Sequence, residues 1–155
     1  MNEVDKKLEM LGIDLETSPE PMANYVSVQK AGNIWFFSGA GPMEAGRPVV
    51  TGRLGENLTT EEGYEAARIA AVNLLAVMRR ELGNDFDKLE QVVKLQGFVS
   101  STNDYYEQPK VMNGASDLLV EVFGDRGRHS RTAIGTNVLP FGIPIEIEMI
   151  VKVKA

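Results

Sequence analysis

Apolar and polar residues follow two different periods along this chain, and the switches between them mark its elements. From Thr60 to about Leu82 the apolar positions Tyr64, Ala67, Ala71, Leu74, Leu75, Met78 and Leu82 recur every three or four residues, one stripe of a long helix. Thr59 and Glu62 stand at capping-box spacing at its start, and Gly83 closes it. A second helix is predicted from about Pro109 to Phe123, with proline tolerated in the first turn. Residues 2–11 place Val4, Leu8 and Leu11 on one helical face, with Gly12 as a stop. Thr17 to Pro21 reads as an extended connector, because each proline disfavours helix at the residue before it.

The remaining segments alternate with period two. Tyr25–Gln29 and Asn33–Ser38 predict a hairpin around Lys30-Ala-Gly32, and Arg47–Thr51 a short third strand. Gln91–Ser100 is rich in strand formers, and Gly124–Gly127 is a turn. Two further strands, joined by a turn containing Leu139-Pro140, complete the chain. The order helix, β, β, (β), α, β, α, β, β predicts an α+β fold with two helices on one face of a single sheet, in one domain over 1–155 whose first 21 residues are helix and connector. The last strand sorts Ile143, Ile145, Ile147, Met149, Val151 and Val153 onto one face and Pro144, Glu146, Glu148, Ile150 and Lys152 onto the other. The first set suits burial under helices. The second mixes carboxylates with an aliphatic residue, the make-up of a partly covered surface such as a subunit interface.

The last two strands also carry the candidate chemistry. Arg131 is a permanent cation whose planar fork matches a carboxylate. Glu146 supplies a carboxylate able to move a proton or hold a water. Glu148 lies two residues further along the same face, about 7 Å away by strand rise. The bland alternatives are an arginine paired with a neighbouring acid and glutamates that are solvated or salt-bridged.

Composition narrows the classes. In 155 residues, 43% hydrophobic and 25% charged are ordinary globular proportions, and no apolar run is long enough to cross a bilayer. The N-terminus lacks the basic-then-apolar pattern of a secretory signal, which fits the cytoplasm. Without cysteine there is no disulfide, thiolate nucleophile or thiolate metal site, and no metal cluster is evident. A net charge of −6 with only short basic pairs disfavours nucleic acid as a partner. His129, the one histidine, reads as a surface residue and cannot supply paired-histidine acid–base chemistry. The glycine-rich Ser38–Gly46 lacks the Gly-Lys-Ser/Thr and following helix of a phosphate loop.

Arg131, Leu139-Pro140 and Ile145-Glu146-Ile147-Glu148, taken in that order, resemble the C-terminal signature of the Rid family, also called YjgF or endoribonuclease L-PSP. The resemblance extends through Lys30–Gly39 and Val92–Val99 and covers residues 22 to 153. It implies a chorismate-mutase-like, ferredoxin-like fold and homotrimers with sites in intersubunit clefts. By the same resemblance, Arg131 matches the arginine that binds the substrate carboxylate, and Glu146 the glutamate that positions an attacking water. Tyr25 falls where a tyrosine closes over the ligand, Asn113 where an asparagine stands on the second helix, and Ser38-Gly39 where backbone groups line the pocket. The chain departs from the family pattern at Ala23-Asn24, Ala40, Ala133 and His129-Ser130, which replace Gly-Pro, glutamine, cysteine and Pro-Ala.

The function implied is a hydrolase that deaminates enamine and imine intermediates of the 2-aminoacrylate type to 2-oxo acids and ammonia, with no cofactor. Two other readings stay open. One is a non-catalytic protein sensing a small carboxylate-bearing metabolite through the same pocket; the other, disfavoured by charge and the single histidine, is an endoribonuclease.

Overall fold

A computed structural model describes all residues 1–155. The elements are α1 (Glu3–Met10), β1 (Val28–Ala31), β2 (Ile34–Ala40), β3 (Met43–Glu44), β4 (Arg47–Pro48), α2 (Thr60–Glu81), β5 (Leu89–Ser100), α3 (Gln108–Phe123), β6 (Ser130–Thr136) and β7 (Ile145–Val153). Five strands form one sheet in the order β1-β2-β7-β5-β6, in which only the β5–β6 pair is parallel. β3 and β4 make a separate small hairpin where a single third strand was expected.

The α+β prediction holds, with α2 and α3 on one face of the sheet. β2 and β5 are both antiparallel to β7 and hence parallel to each other, so α2 links them as a crossover with β7 inserted between. Helix α3 makes the second crossover, from β5 to β6. The last two strands are therefore not partners. Although joined by the Pro140–Gly142 turn, β6 and β7 flank β5 on opposite sides.

Local rules account for the elements. The Thr59 hydroxyl accepts from the Glu62 amide while the Glu62 carboxylate accepts from the Thr59 amide, so two free donors at the start of α2 are satisfied together. Beyond its C-cap, Gly83 takes a φ of +69°, a left-handed conformation that costs glycine little. The first hairpin turns at Gly32-Asn33, slightly later than the pattern indicated, because Gly32 supplies the positive φ of 63°.

The core lies between the helices and the sheet. Ile145, Ile147, Met149, Val151 and Val153 of β7 are buried there with Leu74, Leu75 and Met78 of α2 and Leu118 and Leu119 of α3. Burying each such side chain contributes roughly 1.5–3 kcal/mol. Small residues set how closely α2 and α3 approach: a Cβ on Gly114 would overlap the Tyr64 carbonyl, and Ala67 lies alongside. Helix α1 adds Val4 and Leu8 to the same core and packs on α3, with Asn2 capping its start through a 2.8 Å bond from the Asp5 amide. The connector then crosses the end of α2, where Arg80 holds the Ser18 hydroxyl at 2.6 Å and the Pro19 carbonyl at 3.3 Å.

Candidate functional site

The structure sorts the predicted site residues into two groups on opposite faces of the sheet. Arg131 and Asn113 lie between β6 and α3, whereas Ser38, Gly39 and Glu146 lie on the face away from the helices. Period-two geometry explains the split. Arg131 pairs in register with the buried Leu95 and turns toward α3, while Glu146 alternates with Ile145 and Ile147, which face the helices.

On the helix side, Asn113 and Ser116 are three residues apart on α3, hence neighbours on one helical face. His129 and Arg131 are two apart and point from the start of β6 toward that face. Arg131 Nη1 donates to Asn113 Oδ1 at 2.8 Å and to Ser116 Oγ at 3.2 Å. Ser116 Oγ lies 2.8 Å from His129 Nε2, and His129 Nδ1 lies 2.6 Å from the Gly127 carbonyl oxygen. His129 is thus half-buried within a hydrogen-bonded cluster rather than a surface residue. Arg131 forms no ion pair; its Nε and Nη2 bond nothing in the chain, and neither is sealed from solvent. A cation held on one nitrogen with the rest of its fork free is prepared for an anion. Asn113, whose oxygen is engaged, keeps its amide N–H groups free of any partner in the chain.

On the open face, the β2–β7 register shifts between Phe37 and Ala40, so that both Ser38 and Gly39 stand opposite Glu148. Such a bulge re-aims side chains and backbone. The Ser38 hydroxyl donates to the Val26 carbonyl at 2.7 Å and its amide to the Ser27 carbonyl at 2.9 Å, tying the bulge to the connector. A Cβ on Gly39 would lie 3.0 Å from Glu146 Cδ and closer still to Oε1, so the carboxyl occupies the space that glycine leaves. Glu146 has no hydrogen-bond or ionic partner. Burial, with the charge of Glu148 adding to it, pushes its carboxyl above the ordinary range. Glu148 is exposed and likewise unpaired. It borders a shallow depression of about 150 Å³ shared with Phe36, Lys94, Gln96 and Ile150.

Tyr25 departs from expectation. It precedes β1 instead of opening it, and the residue is 51% exposed, with the hydroxyl 3.5 Å from the Met22 amide. Its neighbour Val26 nevertheless carries the carbonyl that holds Ser38, which places the tyrosine at the edge of the open-face group. Ala133 lies two residues beyond Arg131 on the same face and packs against the core. Asn73 of α2, not singled out from sequence, donates to the Gly41 and Met43 carbonyls at 2.9 Å each and pins the loop that follows Gly39. Ser116 was also missed, and His129 was read as a surface residue. Their signal was the matched i, i+3 spacing on α3 and i, i+2 spacing at β6, which becomes readable only once the two elements are known to face each other. No group of three or more His, Cys, Asp or Glu residues is arranged to hold a metal, and no helix is long and apolar enough to cross a membrane.

Relatives with this framework are known. A protein of Trypanosoma cruzi, TCP17, is 42% identical over 152 residues, covering 97% of this chain and 94% of its own. The crystal structure of Atu1372 from Agrobacterium tumefaciens, of unknown function, is 39% identical and superposes with a TM-score of 0.89 over 99% of this chain and 93% of that one. A structure from Shewanella oneidensis MR-1 is 30% identical, with a TM-score of 0.93 over 98% and 100% of the two chains. Residues 5–150 match the family described as "YjgF/chorismate mutase-like, putative endoribonuclease". With that match spanning nearly its whole length, the chain belongs to the YjgF, or Rid, family.

Proposed function

We propose that the protein is a hydrolase that deaminates 2-aminoacrylate-type enamines and their imine tautomers, releasing a 2-oxo acid and ammonia. The observation that carries this reading is the half-bonded Arg131: Nη1 is anchored on Asn113 and Ser116, while Nε and Nη2 remain for a substrate carboxylate. Two parallel charge-assisted bonds orient the ligand as well as hold it. The carboxylate-bearing substrate then presents its imine carbon to a water near Glu146.

Glu146 accepts a proton from that water as the oxygen–carbon bond forms. Glu146 passes that proton to the imine nitrogen, and the resulting carbinolamine then gives its hydroxyl proton, relayed by the same carboxylate, to the amine, which leaves as ammonia as the C–O bond becomes a carbonyl. A carboxyl held above its ordinary range is a better proton acceptor than a normal glutamate and returns the proton readily near neutral pH. The imine is already electrophilic, so orientation and proton transfer suffice and no cofactor is invoked.

One chain cannot bring both groups to one substrate, because Arg131 and Glu146 face opposite sides of its sheet. The depression beside Glu148 is lined by neither residue. This supports a site shared between protomers of a homotrimer, with Arg131 and Asn113 from one and Ser38, Gly39, Glu146 and Tyr25 from its neighbour. A cytoplasmic location fits such a role beside the enzymes that generate imines. Charge of −6 and a histidine whose two nitrogens are both engaged weigh against RNA as substrate.

A second reading keeps the Arg131 clamp but uses it to sense a carboxylate metabolite without turnover. It is favoured by Ala133, which leaves the clamp without the neighbouring thiol found in deaminating relatives. The deciding experiment measures 2-oxo acid or ammonia release from enzymatically generated iminopropionate. Release well above the spontaneous rate, lost in Arg131→Ala, supports catalysis. Saturable binding of 2-oxo acids with no acceleration supports sensing.

A further inference from the structure

We propose that His129 is a positioning residue for the Arg131 clamp, acting as a neutral imidazole with its proton on Nδ1 and orienting Arg131 through the Ser116 hydroxyl. The proposal rests on the reading of Arg131 as a carboxylate-binding group, and it explains what the chain gains from a histidine two residues before that arginine.

The hydrogen-bond accounting fixes the direction of every proton. The Gly127 carbonyl oxygen can only accept, so His129 Nδ1, 2.6 Å away, carries the proton and donates. In the neutral ring Nε2 is then an acceptor, and the atom facing it at 2.8 Å is the Ser116 hydroxyl. Ser116 has one proton and gives it to Nε2, which turns its oxygen lone pairs toward Arg131 Nη1 at 3.2 Å. A proton on Nε2 would break this order. Ser116 would receive two donors, and its own proton would lose its acceptor. Burial holds the imidazole below the ordinary histidine range, with the Arg131 charge acting in the same direction against the Gly127 carbonyl, so the ring is neutral at neutral pH as the arrangement requires.

The effect on the clamp follows from geometry. Asn113 alone gives Nη1 one anchor about which the guanidinium can pivot; Ser116 adds a second, and two anchors on one nitrogen set the plane of the fork. That plane decides whether Nε and Nη2 meet a carboxylate in parallel. His129 never touches the ligand, and its role is to hold Ser116 in the accepting orientation.

The test combines nitrogen-15 NMR of the imidazole with calorimetric titration of pyruvate, using the full chain and the variants His129→Ala, His129→Gln, Ser116→Ala and the double variant His129→Ala/Ser116→Ala. In the wild type the Nδ1–H tautomer is expected, opposite to the form that free histidine favours, and Ser116→Ala should weaken that preference. Pyruvate binding should fall about tenfold in His129→Ala, the scale of one lost hydrogen bond. It should return to within about threefold of wild type in His129→Gln, whose side-chain oxygen replaces Nε2 as acceptor. The double variant should bind no worse than the weaker single one, because both changes break the same chain. An Nε2–H tautomer in the wild type, undiminished binding in His129→Ala, or fully additive losses would each overturn the positioning role while leaving the clamp intact. A wild type that binds no pyruvate at all would instead remove the clamp, and this proposal with it.

Discussion

The two halves of the candidate site are prepared in opposite ways. Between β6 and α3, a cation is anchored: Arg131, Asn113, Ser116, His129 and Gly127 form an unbroken run of hydrogen bonds that leaves the outer fork of the guanidinium and the Asn113 amide N–H groups unspent. On the open face, an anion is left alone: Glu146 is half-buried, unpaired and beside a second carboxylate. A structural ion pair would have joined two such charges. Keeping them apart leaves an anchored cation on one surface and a desolvated carboxyl on another, the division that the proposed function would use for holding a substrate and acting on it.

The sharpest way to break this contrast is to remove the anchored cation. Arg131→Ala should lower kcat/KM for imine hydrolysis by about a hundredfold or more, the loss of two charge-assisted bonds, and Arg131→Lys should recover little because the fork is gone. Steady-state release of 2-oxo acid measures this, and near-normal activity in Arg131→Ala would end the clamp reading.

Glu146→Gln comes next, with activity expected to drop about a hundredfold, at the lower end for a proton-transfer group. Its stability should move the other way. A raised value means that the folded chain binds this proton more tightly than the unfolded chain does, so ionised Glu146 costs stability above its folded value. That cost vanishes as the pH falls through the raised value and below the ordinary carboxylate range. Glu146→Gln should therefore melt above wild type at neutral pH and converge with it near about pH 4. Equal melting temperatures at both pH values would show that the carboxylate is not destabilised.

Gly39→Ala separates placement from folding. The new methyl would take the space now filled by the Glu146 carboxyl, a flexible group that can move aside. Activity should fall about tenfold while denaturant midpoints shift little; a large stability loss would mean that the bulge itself had collapsed. Gly114→Ala tests the opposite half, since its methyl meets the rigid Tyr64 backbone. It should cost about 1–3 kcal/mol in urea unfolding and, by shifting α3 beside Asn113, loosen the Arg131 anchor by a few-fold in pyruvate affinity.

The periodic elements were legible in the chain because their cause is local. The Thr59/Glu62 box and the Tyr64–Leu82 stripe define α2, and the alternation from Ile143 to Val153 defines both the strand and its buried face. The site was legible as a set of residues but not as an arrangement. Arg131 and Glu146, fifteen positions apart across a turn, look like partners on a hairpin, yet the β5–α3–β6 crossover puts β5 between them. That pairing depends on non-local contacts, which no window of sequence contains. His129 was misjudged for the same reason: its partner Ser116 is on another element, and burial follows from the meeting of the two. The late start of β1 at Val28, which leaves Tyr25 outside the strand, reflects the connector's tie to Ser38, again a contact between distant segments.

The placement of the Arg131 guanidinium and the Glu146 carboxyl on opposite sides of one sheet has a genetic consequence for the proposed site. On the proposed shared site, chains carrying Arg131→Ala and chains carrying Glu146→Gln should each be strongly impaired alone, but when the two are unfolded together and refolded, some neighbours should pair an intact arginine with an intact glutamate. Two damaged alleles would thus rescue one another, and the recovered turnover would count how often unlike chains meet.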